Sequence, residues 1–176
     1  MNTNQLRNAA MTDPLLKQYF GDVYACDQLP KIAEHRAYIV NLDDSTKSGS
    51  HWVAIWLVPD RREAYYYDSY GLKPANVHII RFLKRNSMFK KYNDKILQSH
   101  CAATCGQHCL YFLWHCVRGF PPLHVLTHFN EKKRTDNDMR VTIFVRREFA
   151  LTYRPPFYDT ECVQQSLSLE ARSLLS

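Results

Sequence analysis

Several features that define other protein classes are scarce in this sequence. It has five glycines and eight prolines in 176 residues, too few for a collagen-like or low-complexity chain. No apolar run approaches the ~18 residues needed to span a bilayer, and the longest, Val53 to Val58, has the length of a strand. The first thirteen residues are polar and lack the apolar stretch of a secretory signal. We therefore expect a protein that is neither secreted nor bound to a membrane.

Apolar and aromatic side chains are abundant, at 45% and 13% of the residues. This content excludes intrinsic disorder, and the length corresponds to about one domain with a core of its own. Lysine and arginine number 23 against 17 aspartate and glutamate, so the formal net charge is +6. The composition therefore indicates one basic, globular domain.

The hydrophobic pattern predicts an α+β fold in which a short antiparallel sheet is flanked by helices. Alternating or continuous apolar runs predict strands over Arg36–Leu42, His51–Val58 and Ala64–Asp68. The turn between the last two strands is so short that they should form an antiparallel hairpin.

Helical periodicity predicts amphipathic or buried helices over three further segments: Ala75–Tyr92, Cys105–Val117 and Asn137–Phe149. The β-branched residues of the third segment also allow a strand. Asp13 and Pro14 are typical of a helix start, so a short helix should begin there. We expect a loose polar arm over residues 1–12, one domain over 13–153 and a tail over 154–176.

Six cysteines are present, and four of them lie between Cys101 and Cys116. Without an export signal, reduced thiols are expected. Cys105 opens the predicted buried helix, where the helix dipole and free N–H groups lower the pKa of a thiol. Gly106 permits close approach of a substrate backbone, and the same N–H groups could bind an oxyanion. Taken alone, however, such a cysteine is more commonly a buried structural thiol.

A histidine and a carboxylate meet in the predicted hairpin. With a turn centred near residues 60 and 61, the numbers of paired residues sum to about 121, so that His51 lies opposite residue 70 and diagonal to Asp68. This pairing is the base and orienting group of a catalytic triad. Gln98 lies seven residues before Cys105, where its amide could donate to an oxyanion. Each residue alone also has an ordinary structural explanation.

A zinc site is an alternative use of the same segment. Its six candidate ligands are Cys101, Cys105, His108, Cys109, His115 and Cys116. One continuous helix presents only two ligands at a spacing of three or four residues, and no C-x-x-C pair supplies the others. We therefore predict no metal, and a non-catalytic nucleic-acid-binding protein with structural zinc is kept as an alternative.

The order and spacing of these residues resemble the adenovirus-type cysteine protease family, adenain. The matching elements are H-W-V-A-I-W at His51, D-S-Y-G at Asp68, then Gln98 and Cys105-Gly106. The segments 19–24 and 137–146 are also similar, so the resemblance spans roughly residues 13 to 150. The D-S-Y-G version and the short chain are most similar to the Polinton/Maverick and adintovirus relatives of that family.

The resemblance implies a protease domain with papain-like site geometry in rearranged order. It implies that His51 is the base, Asp68 its orienting group, Cys105 the nucleophile and Gln98 the oxyanion donor. It further implies cleavage of viral precursor polyproteins, often beside glycine, in the virion and host nucleus, with no cofactor needed for the chemistry. Proteases that remove ubiquitin-like modifiers share H-W, D and Q…C-G and remain an alternative, although the seven-residue spacing favours adenain.

Two features differ from the family. The carboxylate is often glutamate there, whereas this chain has Asp68. Adenain is also activated by a viral peptide tethered through a disulfide, and the segment before Gln98 contains no cysteine for such a tether. Activation by a peptide is therefore an open expectation.

Between Lys73 and Lys95 there are seven basic residues and one acidic residue. A solvated surface is the ordinary explanation of such a segment. The functional explanation is sequence-independent binding of phosphates, and the resemblance implies duplex DNA as an activating partner. The candidate contacts are Arg81, Lys84, Arg85, Lys90 and Lys91.

Overall fold

The computed structural model describes residues 1–149, which form a five-stranded mixed sheet with helices on both faces. The strands, in spatial order β1 to β5, are Phe20–Ala25, Ala37–Asn41, Trp52–Val58, Glu63–Tyr67 and Phe89–Tyr92. The helices α1 to α6 are Thr3–Thr12, Pro14–Tyr19, Val77–Asn86, Cys105–Val117, Pro122–Val125 and Arg134–Glu148. The predicted α+β class is confirmed; the predicted boundary at residue 153 and the tail lie outside the described residues.

The centre of the sheet is antiparallel, as predicted, but both of its edges are parallel. β2, β3 and β4 pair antiparallel, whereas β1 runs parallel to β2 and β5 runs parallel to β4. The prediction of an antiparallel sheet is therefore incomplete. The β3–β4 connection, residues 59–62, is short enough only for a reversal of the chain, whereas the parallel pair β4–β5 is joined by a crossover that contains α3.

The helix predicted over Ala75–Tyr92 is wrong in its second half. α3 ends at Asn86, and Ser87 caps it in an extended conformation, with its backbone N–H and its hydroxyl both donating to the Leu83 carbonyl at 3.0 and 2.7 Å. The N–H of Met88 then donates to the Arg62 carbonyl at 2.8 Å, and the chain continues as β5. Pairing with β4 therefore makes residues 89–92 a strand, although their apolar periodicity predicts a helix.

The other helix predictions are confirmed more closely. α4 begins and ends at the predicted residues. The segment whose sequence allows either helix or strand is the helix α6. Asp13 caps α2 by accepting from the Leu16 N–H at 2.7 Å, with Pro14 in the first turn.

The loose arm expected over residues 1–12 is wrong, because these residues form the helix α1. Asn2 caps it in a reciprocal pair with Gln5. Its apolar residues Leu6, Ala9 and Ala10 share one face and are fully buried. A methyl group added at Gly106 would lie 2.9 Å from Leu6, so α1 packs directly on the start of α4.

β3 is buried on both faces, as its uninterrupted apolar run predicts. One face packs in the core that contains α4, through Ala54 and Trp56. The other packs in the core that contains α3, through Val53 and Ile55. α3 and α4 therefore lie on opposite faces of the sheet. Among residues 1–149, no helix has the length and apolar character required to cross a membrane.

Candidate active site

The hairpin of β3 and β4 brings His51 and Asp68 together. Its register pairs Ala54 with Tyr67 and Ile55 with Tyr66, which is the pairing that the sequence predicts. His51 Nε2 lies 2.8 Å from Asp68 Oδ1. The side chain of His51 is 12% exposed, and that of Asp68 is fully buried. The predicted pair of base and carboxylate is therefore formed, with the histidine on the solvent side.

Asp68 is held in place through its backbone and its carboxylate. Its N–H donates to Asn93 Oδ1 at 2.9 Å, and Asn93 Nδ2 donates to its carbonyl at 2.6 Å. The N–H of Tyr70 donates to Asp68 Oδ1 at 2.8 Å. The sequence does not indicate this role for Asn93, because the residue follows a strand that the apolar periodicity predicts as helix.

Tyr70 packs on the ring of His51, with centroids 4.9 Å apart in a stacked arrangement. His100 stacks on the same tyrosine at 5.9 Å. These contacts restrict rotation of the histidine ring, which also bonds to Asp68. Tyr70 lies within the D-S-Y-G motif, but the sequence does not predict its stacking, because no local pattern indicates which ring it faces.

Cys105 is the first residue of α4 and is half-buried. Burial by itself raises the pKa of its thiol. The hydrogen bond and positive charge of His51, together with a backbone hydrogen bond at Trp52, outweigh burial and lower that pKa below its ordinary value. A thiolate is the reactive form of cysteine, so the site activates this sulfur.

The pKa of His51 is shifted in the complementary direction. Burial lowers it, but the hydrogen bonds and charges of Asp68 and Cys105 prevail and raise it to about 9. Between the lowered pKa of Cys105 and about pH 9, the two groups therefore form a thiolate–imidazolium pair. Such a pair is the activated state of cysteine hydrolases.

The remaining cysteines have other environments. Cys109 and Cys116 are buried free thiols whose pKa values burial raises well above the ordinary range. Cys26 is also a buried free thiol. Cys101 is disulfide-bonded, so the expectation of reduced thiols is wrong for this residue. Of the four free thiols within residues 1–149, Cys105 alone is only half-buried.

Gln98 is buried in the loop between β5 and α4. Its Oε1 accepts from the Ser69 hydroxyl at 2.6 Å. Its Nε2 donates to the Ala102 carbonyl and, at a longer 3.3 Å, to the Tyr70 hydroxyl. Gln98 thus bridges the segment after Asp68 and the segment before Cys105, and its role as an oxyanion donor stays a prediction.

A cleft of about 550 Å³ opens beside Cys105. Small and polar residues of the loop between β2 and β3, including Gly49 and Ser50, form one side. Trp52 and Ala103 also line it. The half-buried Cys105 therefore borders an open cleft.

No group of three or more histidine, cysteine or acidic side chains that could hold a metal ion is found within residues 1–149. Two candidate zinc ligands have other partners. His108 lies 3.1 Å from both the Tyr67 hydroxyl and Asp138 Oδ1, and His115 Nδ1 lies 2.8 Å from the Tyr111 carbonyl.

The basic residues divide into two groups. Arg81, Lys84 and Arg85 are on α3, on the face of the sheet opposite α4, and their side chains reach the surface. Lys90 is exposed on β5, whereas Lys91 forms an ion pair with Glu63 at 2.8 Å. The structure therefore brings the first three together, away from Cys105, and a carboxylate neutralises the last.

Comparisons with known proteins give a partial sequence match and a shared fold. No protein-family model matches the chain. The chain is 28% identical to the protease of bovine adenovirus 4 over 89 residues, which is 43% of this chain and 44% of that protein. It therefore spans less than half the length of the curated relative it matches.

Two solved structures that resemble the fold are of the ASFV pS273R protease. One structure of the ASFV pS273R protease has a TM-score of 0.53 at 17% identity and covers 86% of this chain and 68% of its own. A second, selenomethionine-labelled structure has a TM-score of 0.48 at 20% identity and covers 69% and 46%. The sequence match supports the resemblance to adenovirus-type proteases, and the structure with a TM-score of 0.53 shows a shared fold.

The thiolate–imidazolium pair predicts an unusual titration of Cys105. Iodoacetamide should alkylate it at a pH clearly below the ordinary thiol range, because His51 stabilises the thiolate. In His51→Ala the imidazole no longer opposes the effect of burial on the Cys105 thiol. The pH midpoint of Cys105 alkylation should therefore rise above the ordinary pKa of a thiol. Mass spectrometry of labelled peptides over a pH series measures both midpoints, and Cys109 and Cys116 serve as internal controls that should stay unlabelled in the folded protein. Equal midpoints in the two proteins would contradict the pair.

Proposed function

We propose that the chain is a cysteine endopeptidase that uses Cys105, His51 and Asp68. The observation that carries the proposal is the 2.8 Å contact between His51 and Asp68, beside a helix-opening cysteine whose pKa is lowered. A nucleophile, its base and the group that orients the base are the three parts that thiol hydrolysis needs. The likeness to an adenovirus protease supports the same class of chemistry.

In the proposed reaction, the thiolate of Cys105 attacks the carbonyl carbon of a peptide bond. The carbonyl oxygen becomes an oxyanion, and the imidazolium of His51 gives its proton to the departing amine as the C–N bond breaks. His51 then takes a proton from water, whose oxygen attacks the thioester. The C–S bond breaks, the sulfur leaves as a thiolate and His51 keeps the proton, so that the acid product is released and the thiolate–imidazolium pair is regenerated. Asp68 stabilises the positive charge on His51.

Two kinds of donor would stabilise the oxyanion. The first N–H groups of α4 have no acceptor within their own helix, and they lie next to the Cys105 sulfur. Gln98 would supply the second donor, since its 3.3 Å contact with Tyr70 is long enough for an oxyanion to replace it. One such donor contributes about 10²–10³ in turnover.

Viral precursor proteins, cut beside glycine, are the proposed substrates. The curated relative that the chain matches is an adenovirus protease, and the preference for glycine rests on the resemblance to that family. We place the activity in the virion and the host nucleus. Release of a Gly-Gly-linked modifier in preference to precursor peptides would instead favour the deconjugating alternative.

The catalytic proposal is tested by replacing Cys105 with alanine. Cleavage of precursor-derived peptides should fall to background, because the other free thiols of α4, Cys109 and Cys116, are buried and have raised pKa values. Cys109→Ala is the matched control: it removes a buried thiol one helical turn away and should keep most of the activity. Mass spectrometry of the products gives the rate and the cleaved bond. If Cys105→Ala cleaved the peptides as fast as the unmodified protein, the assignment of Cys105 as the nucleophile would be refuted.

We also propose that duplex DNA, together with a viral peptide, activates the protease. Arg81, Lys84 and Arg85 support DNA binding, because they share one helix face. No carboxylate among residues 1–149 forms an ion pair with any of the three. Lys91 contributes less, since it is paired with Glu63.

Replacing Arg81, Lys84 and Arg85 by glutamate should weaken binding of random-sequence duplex DNA. The slope of log affinity against log salt should become shallower by roughly 0.9 for each phosphate that the variant no longer neutralises. Cleavage of a short free peptide should be unchanged, because α3 and α4 lie on opposite faces of the sheet. A variant with glutamate at Lys17, Arg140 and Arg146 has the same net charge and is the control. Equal weakening in both variants would show a net-charge effect and refute a binding surface on α3.

A further inference from the structure

The proposed catalytic residues leave one buried carboxylate close to the site without a role. Asp138, in α6, is fully buried. Its Oδ1 accepts from the Thr104 hydroxyl and lies 3.1 Å from His108 Nε2. Its Oδ2 accepts from the Ser99 N–H at 3.0 Å. A buried carboxylate is tolerated only with such partners.

The partners of Asp138 are placed on two segments that matter for the proposed chemistry. Ser99 directly follows Gln98. Thr104 directly precedes Cys105, and His108 lies one turn further along α4. A single carboxylate therefore joins the loop of the proposed oxyanion donor to the start of the helix that carries the nucleophile.

The neighbouring residue, Asn137, holds the other side of Gln98. Its Nδ2 donates to the Leu97 carbonyl at 2.9 Å and to the Asn130 carbonyl at 2.8 Å. Its Oδ1 accepts from the Asn130 N–H at 3.0 Å. The backbones of the two residues that flank Gln98 are thus hydrogen-bonded to the side chains of Asn137 and Asp138.

We propose that Asp138 is a positioning residue that sets the location of Gln98 relative to Cys105. This inference rests on the proposed function. The hydrogen bonds of Asp138 go to Ser99, Thr104 and His108, and none of them goes directly to His51, Asp68 or Cys105. Its replacement should therefore affect the oxyanion-stabilising step and leave activation of the thiol intact.

The isosteric variant Asp138→Asn tests the proposal with the fold kept close to native. An amide has one oxygen in place of two, so it cannot accept from Ser99, Thr104 and His108 together. Displacement of a catalytic group by about 1 Å can cost on the order of 10²-fold in rate. We expect a fall in kcat of about that size with KM nearly unchanged, and an unchanged pH midpoint for alkylation of Cys105.

The matched control is Asp13→Asn. Asp13 is also a buried carboxylate bonded to α4, but at the opposite end, through a 2.6 Å ion pair with Arg118. This variant should lose stability and keep kcat when assayed well below its melting temperature. A similar fall in kcat for both variants would reduce Asp138 to a general stabilising residue and overturn the proposal.

A double-mutant cycle tests whether Asp138 acts through Gln98. If it does, Asp138→Asn combined with Gln98→Ala should be no slower than Gln98→Ala alone. Rate reductions that multiply in the double variant would overturn the proposal.

Hydrogen exchange supplies a readout that does not need activity. Exchange in a peptide covering residues 97–104 should rise in Asp138→Asn and stay unchanged in Asp13→Asn. Unchanged exchange in Asp138→Asn would overturn the positioning role even if no substrate is cleaved. Cleavage that does not depend on Cys105 would overturn the proposed function separately.

Discussion

The hydrogen bond between His51 and Asp68 is the interaction on which the candidate site depends. It joins a partly exposed imidazole to a fully buried carboxylate over 2.8 Å. The carboxylate stabilises the charged imidazole, which in turn stabilises the thiolate of Cys105, so the interactions that set these pKa values form one chain. The register of the β3–β4 hairpin fixes this geometry, because a shift by one residue would turn Asp68 to the other face of the sheet.

α4 connects this pair to the rest of the fold. Its first turn presents Cys105, and its body is buried against the sheet. α1 packs on its start, and Asp138 bonds to its first turn from α6. Elements distant in sequence therefore converge on the end of the helix that carries Cys105.

The parts of the site that the sequence predicts are those set by local or near-local rules. Hairpin pairing predicts the meeting of His51 and Asp68, and apolar periodicity predicts α4 and the position of Cys105. The resemblance to adenain also gives Gln98 a role, as an oxyanion donor, that stays a prediction. Local rules are sufficient here because few residues separate the paired strands.

The parts that the sequence does not predict are set by contacts between distant segments. α1 has too polar a composition to indicate burial, although Leu6, Ala9 and Ala10 lie on one face. β5 forms because the backbone of Arg62 is available at the end of α3, and Asn93 gains its role only through that strand. Asp138 likewise acquires partners nearly forty residues earlier in the chain.

The most direct test of the account is the titration of His51 itself. Nitrogen NMR of the imidazole ring, followed with pH, reports its protonation state in the resting protein. We predict an imidazolium that persists through neutral pH and a pKa of about 9 for His51. We also predict that Asp68→Asn moves this titration downward, since the carboxylate supplies much of the stabilisation. A histidine that titrates near its ordinary value of about 6.5 in the unmodified protein would contradict the account.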